Sequence, residues 1–180
     1  FTVPGGIIYN PYKNESTGRK GISVSGTCTI QGGTIIGCFD PRIGAAVTCS
    51  SSGTLIMTGG KILYNRVKVS EGGSAGVIYG EVPNNNSGSL IDLSNVTLSH
   101  NKTQGRGGAI CGYKIQLTKC NIENNISEKQ GAAVYVRSQN GYLTIDGCTI
   151  KNNAATGDGG AIYADSAPCT ITNSEISYNS

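Results

Sequence analysis

The sequence predicts an all-β chain wound as a β-solenoid, in about six turns of 24–36 residues. Three observations predict it. The first is composition: 180 residues hold 27 Gly, 2 Phe and no Trp, and 14% are charged, well below the usual share of about a quarter. Ile, Val, Thr, Asn and Gly dominate and helix formers are scarce, which is the chemistry of strands and turns. The second is a marker, an Ile or Leu three residues ahead of an Asn. It occurs at Ile7, Ile62, Leu98, Ile122, Ile150 and Ile176, and Ile35 fits the same slot with Cys38 replacing the Asn. Successive markers are 28, 27, 36, 24, 28 and 26 residues apart. The third is register. Five residues before each marker from Ile35 onward stand Ile30, Met57, Leu93, Leu117, Ile145 and Ile171, and two before those stand Cys28, Leu55, Ile91, Ile115, Leu143 and Cys169. A period of this length, built of short strands and Gly/Asn turns, reads as stacked coils.

In chain order, residues 1–20 hold the end of a preceding turn (Ile7–Asn10) and a polar corner loop, and residues 21–180 hold the repeats. Each repeat opens on small residues, as in Gly107-Gly108-Ala109, where glycine permits positive φ or close backbone approach at a corner. A short apolar strand follows. Alternation turns Ile22, Val47, Ile78, Ile110, Val134 and Ile162 inward, and after them Val24, Cys49, Gly80, Gly112, Val136 and Ala164. The opposite phase would bury Glu81, Arg137 and Asp165. Tyr135 and Tyr163 then face outward on adjacent coils, an expected external aromatic ladder at the ~4.8 Å strand spacing. The Asn that closes each marker suits a left-handed corner position and, once stacked, an amide ladder. The 36-residue turn carries its excess in Glu81–Ser89, and insertions in solenoids gather on a single face that often binds. Neither end reads as a polar capping unit, so the residues are expected to be a segment of a longer solenoid whose first partners are adjacent turns of its own chain.

The residues offer little chemistry. The net charge is +3 and the 14 Lys and Arg are scattered, which does not make the basic stripe of a nucleic-acid binder. No apolar run approaches a membrane span. The seven Cys show no CxxC spacing and His100 is the sole histidine, so no catalytic, metal or cofactor-binding residues are assigned. Gly157-Asp158-Gly159-Gly160 faintly matches a calcium-binding nonapeptide, but the equivalent site two turns earlier carries Arg106, which would repel the ion. Asp92 and Asp146 face outward on the second strand, two turns and one column apart, and read as solvated carboxylates rather than a hydrolytic pair. The outward Thr column is interrupted by Ile56, Asp92 and Gln116, too irregular for an ice-binding array. Cys120 and Cys148 share one slot in successive turns, within disulfide reach, so they are either a disulfide or paired packing thiols. Of five N-glycosylation sequons, Asn101 and Asn125 fall in the amide ladder, which leaves Asn14, Asn85 and Asn95 as the acceptors.

GGAI at Gly107–Ile110 and Gly159–Ile162, combined with the Ile/Leu-x-x-Asn marker, resembles the GGA[ILV] and FxxN repeats of chlamydial polymorphic membrane proteins. Here the Phe of FxxN is Ile or Leu, and Gly44–Val47, Gly76–Ile78 and Gly131–Val134 are degenerate copies. The resemblance implies a right-handed parallel β-helix of the pectin-lyase-like type, secreted or at a cell surface. The membrane anchoring of the chlamydial members is not carried over. The expected function is a non-enzymatic structural or adhesive segment of a long extracellular solenoid, meeting surface or matrix proteins or glycans. The alternative is a carbohydrate-active β-helix, lyase or hydrolase, with its site outside these residues.

Overall fold

The computed structural model describes residues 1–9, 20–69, 73, 75–83 and 88–180. Every described element is a strand, and every pairing is parallel to the equivalent strand one coil away. Six coils stack, and the fourth illustrates the plan. Ile110–Gly112 lies in a first sheet, Lys114–Thr118 in a second, Asn121–Glu123 in a third, and Ile126–Ser127 in a fourth. These sheets hold six, seven, seven and five strands respectively. The β-solenoid expected from the repeat is therefore what forms.

Alternation places the side chains as predicted. Ile78, Ile110, Val134 and Ile162 pair directly in the first sheet, and Leu55, Ile91, Ile115, Leu143 and Cys169 in the second. Their interior members in the middle coils are wholly buried. Because the cavity between the sheets is narrow, small and β-branched residues fill it. The largest buried aromatics lie outside that interior: Tyr135 is on the outward phase of the first sheet and Tyr113 in the turn that follows it.

The buried polar column is the amide ladder. In each coil the Asn carboxamide oxygen accepts from both the backbone N–H and the side-chain amide of the preceding Asn. For Asn125 the acceptor distances are 3.0 Å from Asn101 N and 3.0 Å from Asn101 Nδ2. Its own Nδ2 donates onward to Asn153 Oδ1 at 2.9 Å and back to the carbonyl of Leu98, the marker of the coil before, at 3.0 Å. The same pattern runs through Asn65, Asn101, Asn153 and Asn179. Asn65, Asn101, Asn125 and Asn153 are at most 1% exposed, so each of these bonds replaces water that cannot enter. Cys38 occupies the slot before Asn65, and its backbone N–H still donates to Asn65 Oδ1 at 2.9 Å.

Four expectations need correction. The first marker is Ile8, which pairs with Ile35, and Ile7 is 74% exposed, so the first step is 27 residues rather than 28. The dipeptide Ile7-Ile8 left its phase ambiguous, and the one-residue slip decides which side chain faces in. Second, the left-handed residue is the one before the ladder Asn: Gly37, Tyr64, His100, Asn124, Asn152 and Tyr178 all have φ between 53° and 68°. The chain turns there so that the following Asn can point inward. Third, a two-residue strand follows each ladder position from Cys38 to Asn153, as in Lys102–Thr103 and Ile126–Ser127. Its inward column mixes polar and apolar side chains: Val67 is wholly buried, while Thr103 and Ser127 donate to the carbonyls of Ala75 and Gly105 at 2.6 and 2.7 Å. Fourth, the long third coil has its excess in two places. Six residues separate Asn101 from Gly107 and Asn125 from Gly131, but ten separate Asn65 from Ala75, which occupies the same register.

The glycine expectation holds where the chain leaves the fourth sheet. Gly107, Gly131 and Gly159 have φ of 74°, 66° and 70°. A Cβ on Gly107 would overlap the Ile110 carbonyl oxygen, so this corner needs both the left-handed backbone and the missing side chain.

Candidate functional site

The turn that joins the first sheet to the second varies most in length, and the variation shapes the outer face. Counted between inward residues of the same registers, it spans thirteen residues in the third coil (Ile78 to Ile91), five in the fourth (Ile110 to Ile115) and nine in the fifth (Val134 to Leu143). A short turn between two long ones leaves a notch. On the described residues that notch is a groove of about 500 Å3, lined by Val82 on one side and by Arg137, Ser138, Gln139, Asn140, Asp165 and Ser166 on the other.

The insertion that carries Val82 is tied at its base. Ser89 donates from its hydroxyl to the Glu81 carbonyl at 3.0 Å, and Glu81 Oε2 accepts from the Ser51 N–H at 3.0 Å. A Cβ on Gly88 would overlap the Tyr113 ring and approach Pro83 Cδ at 2.7 Å, so the base of the insertion packs on Tyr113 and buries it. Residues 84–87 of the predicted loop, Asn85 among them, lie outside the described residues, as does Asn14. On its other flank Glu81 borders a smaller depression of about 220 Å3, shared with Ser23, Ser25, Thr48 and Ser50.

Beyond the short turn, the second wall is held rigid by contacts between coils. Arg137 and Asp165 pair in register at the ends of adjacent strands. The Tyr135 hydroxyl donates to Asp165 Oδ2 at 2.9 Å, and the Tyr135 and Tyr163 rings stack at 5.6 Å with 7° between planes. The expected aromatic ladder thus exists, but Tyr135 is only 2% exposed. Arg106 accounts for this: its guanidinium carbon sits 5.4 Å above the ring centroid while Nε donates to Gln130 Oε1 at 2.9 Å. Arg106, weighed in the sequence only as a reason against calcium, is the lid of this cluster. Burial, aided by the bond to Asp165, pushes the Tyr135 phenol up to about 12. Burial likewise pushes the neighbouring Cys111 thiol up to about 12.

Cys120 and Cys148 meet at the corner between the second and third sheets. The Cys120 N–H donates to Cys148 Sγ at 3.3 Å, and one coil on the Cys148 N–H donates to Ser174 Oγ at 3.0 Å. Sulfur and hydroxyl serve here as acceptors in a short second ladder. Both cysteines are thiols in this structure. The Cys120 thiol, bonded to Cys148 and desolvated, is pushed up, while Cys148, receiving that bond as well as the amide, is pulled down.

The remaining candidates stay apart. Asp92 stacks on Gln116 and Thr144, whereas Asp146 lies in the neighbouring column after Ser94 and Thr118. Asp146 accepts from Asn173 Nδ2 and Thr172 Oγ1, each at 2.8 Å, and these bonds hold its carboxyl below the usual range. Asn95 is exposed, on a left-handed corner at φ 55°, whereas the Asn101 and Asn125 side chains are buried in the ladder. Among the described residues no three His, Cys, Asp or Glu side chains gather to hold a metal, and no helix is long and apolar enough to cross a membrane.

The Chlamydia polymorphic membrane protein (Chlamydia_PMP) repeat matches residues 95–113 and 147–165. Each stretch runs from a left-handed corner, Asn95 or Gly147, through marker, ladder Asn and short fourth-sheet strand into GGAI. The matched unit is therefore the part of the coil with the most demanding backbone, and with the stacked sheets it fits a Pmp-type repeat protein. No curated protein and no solved structure matches the chain significantly.

Proposed function

We propose that the chain is a non-enzymatic scaffold of a cell-surface or secreted solenoid, adhesive through the face that carries the insertion. The observation that carries this reading is the unbroken stack. Six coils share three parallel sheets, five of them a fourth, and a buried amide ladder runs through the stack, which makes a stiff rod with variable loops along one side. The match to a polymorphic membrane protein repeat supports a surface-type repeat protein. Adhesion is the finer reading, favoured by the way length variation concentrates at the turn between the first and second sheets.

Antibody raised against the purified chain should label intact source cells or their medium, and labelling only after permeabilisation overturns the surface assignment. Beads coated with the chain should adhere to cells or matrix, and failure to do so removes the adhesive half. The carbohydrate-active alternative predicts new reducing ends or unsaturated uronic products from an acidic polysaccharide. Their appearance with the purified chain would overturn the non-enzymatic reading.

A further inference from the structure

We infer that the notch over the fourth coil is a binding site for a neutral saccharide. The inference rests on the adhesive reading above and names its ligand class. Three observations lead to it. The first is size: about 500 Å3 lies within the ~300–1,000 Å3 typical of small-ligand sites, and suits one or two sugar rings.

The second is the lining. Among its described residues Val82 alone is apolar, so the groove has little to bury an apolar side chain or a lipid tail. Ser138, Gln139 and Ser166 each carry a donor and an acceptor. A sugar hydroxyl also donates and accepts at once, so vicinal diols match such a set better than a peptide does. Peptides that add to a protein through main-chain bonds need an open sheet edge. Of the strands that end at the groove, Val134–Arg137 is paired on both sides, and only Ile162–Asp165, the last strand of its sheet, keeps an open edge.

The third is charge and rigidity. Arg137 and Asp165 are register partners on adjacent coils, so the wall carries one charge of each sign and favours a neutral ligand over an anion or a cation. Asp165 is held from behind by the Tyr135 hydroxyl at 2.9 Å, and Tyr135 in turn lies between Tyr163 and Arg106. Ser138 and Ser166 sit at φ of 90° and 59°, in matching turns that set the wall's shape, and the Gly141 N–H closes the first of these on the Ser138 carbonyl at 2.9 Å. A polar wall fixed before the ligand arrives loses little entropy on binding.

The test uses the whole 180-residue chain on an array of neutral, uronic and sulfated oligosaccharides, followed by calorimetric titration of the neutral binders. Binding to at least one neutral saccharide is expected. D165N and Q139A should each weaken it about tenfold, the loss of one strong hydrogen bond, while Thr144→Ala, on the second sheet away from the groove, leaves it unchanged. Gln139 is an exposed turn residue, so Q139A keeps the test valid should D165N misfold. Three results overturn the inference: no neutral saccharide bound, binding confined to acidic ones, or neutral binding that Q139A and D165N leave intact. A blank array beside beads that still adhere would refute the groove and spare the adhesive reading. A blank array with beads that do not adhere would refute both.

Discussion

The amide ladder allows a quantitative prediction. In Asn125→Ala the hydrogen bonds of one carboxamide vanish from a wholly buried site. Two donors lose their acceptor: the Asn101 backbone N–H and the Asn101 side-chain amide, both now 3.0 Å from Asn125 Oδ1. The acceptors fare better, because Asn153 Oδ1 keeps its bond from the Asn125 N–H at 3.0 Å. A buried donor left unmade costs roughly 1–3 kcal/mol, so the variant should lose roughly 2–6 kcal/mol. Guanidinium unfolding measures the total. Hydrogen exchange of the Asn101 and Asn125 amides locates it, since a stack of repeats can open coil by coil. Asn125→Asp sharpens the test. It replaces the Nδ2 donor by an oxygen facing the carbonyls of Leu98 and Glu123 and Asn153 Oδ1. That carboxyl should have a raised folded pKa, so the variant's penalty grows as pH rises above ~3.9, where the unfolded chain ionises. If Asn125→Ala costs less than ~0.5 kcal/mol, the range of an ordinary surface change, the ladder does not hold the stack and the reasoning fails.

Three further outcomes are expected. Tyr135 should titrate late, and because its folded pKa is raised to about 12, its stabilisation is complete below the unfolded value and fades as pH climbs from ~10 to 12; near-ultraviolet absorbance should show this, and D165N should recover part of the shift while burial keeps the rest. Expressed in a glycosylating host, Asn95 should carry glycan and Asn101 and Asn125 should not, as peptide mapping with glycosidase will show; sugar on either buried Asn would contradict the ladder. Alkylation of the denatured, unreduced chain should label Cys120 and Cys148 in the thiol form of this structure, whereas a linked peptide pair would mean that the corner closes as a disulfide.

Much of this fold was legible because a stacked coil repeats its constraints. Ile115, Leu143 and Cys169 each read as inward in isolation, and their shared spacing to the markers removed the ambiguity that short strands carry. The fourth sheet was not legible: Thr103 and Ser127 point polar groups inward where Val67 stands in the same column, and Ile126 is 42% exposed, so hydropathy does not set the phase there. The first marker was misread by one residue because Ile7 and Ile8 are the same amino acid and no upstream copy fixed the phase.

What the sequence by itself determined is the periodic part: four-sided coils need apolar residues at set intervals, small residues at one corner and an amide at another, and these are local demands written residue by residue. The candidate groove is of another kind. It comes from the difference between three turn lengths in neighbouring coils, and its wall from Tyr135, Asp165 and Arg106, which are far apart in sequence. Neither Arg106 nor Tyr135 carries a sequence signal for that role, because a guanidinium lying on a ring is created only when one coil is set upon the next. Stacking decided which outward residues became buried, which charges met, and where the surface opened.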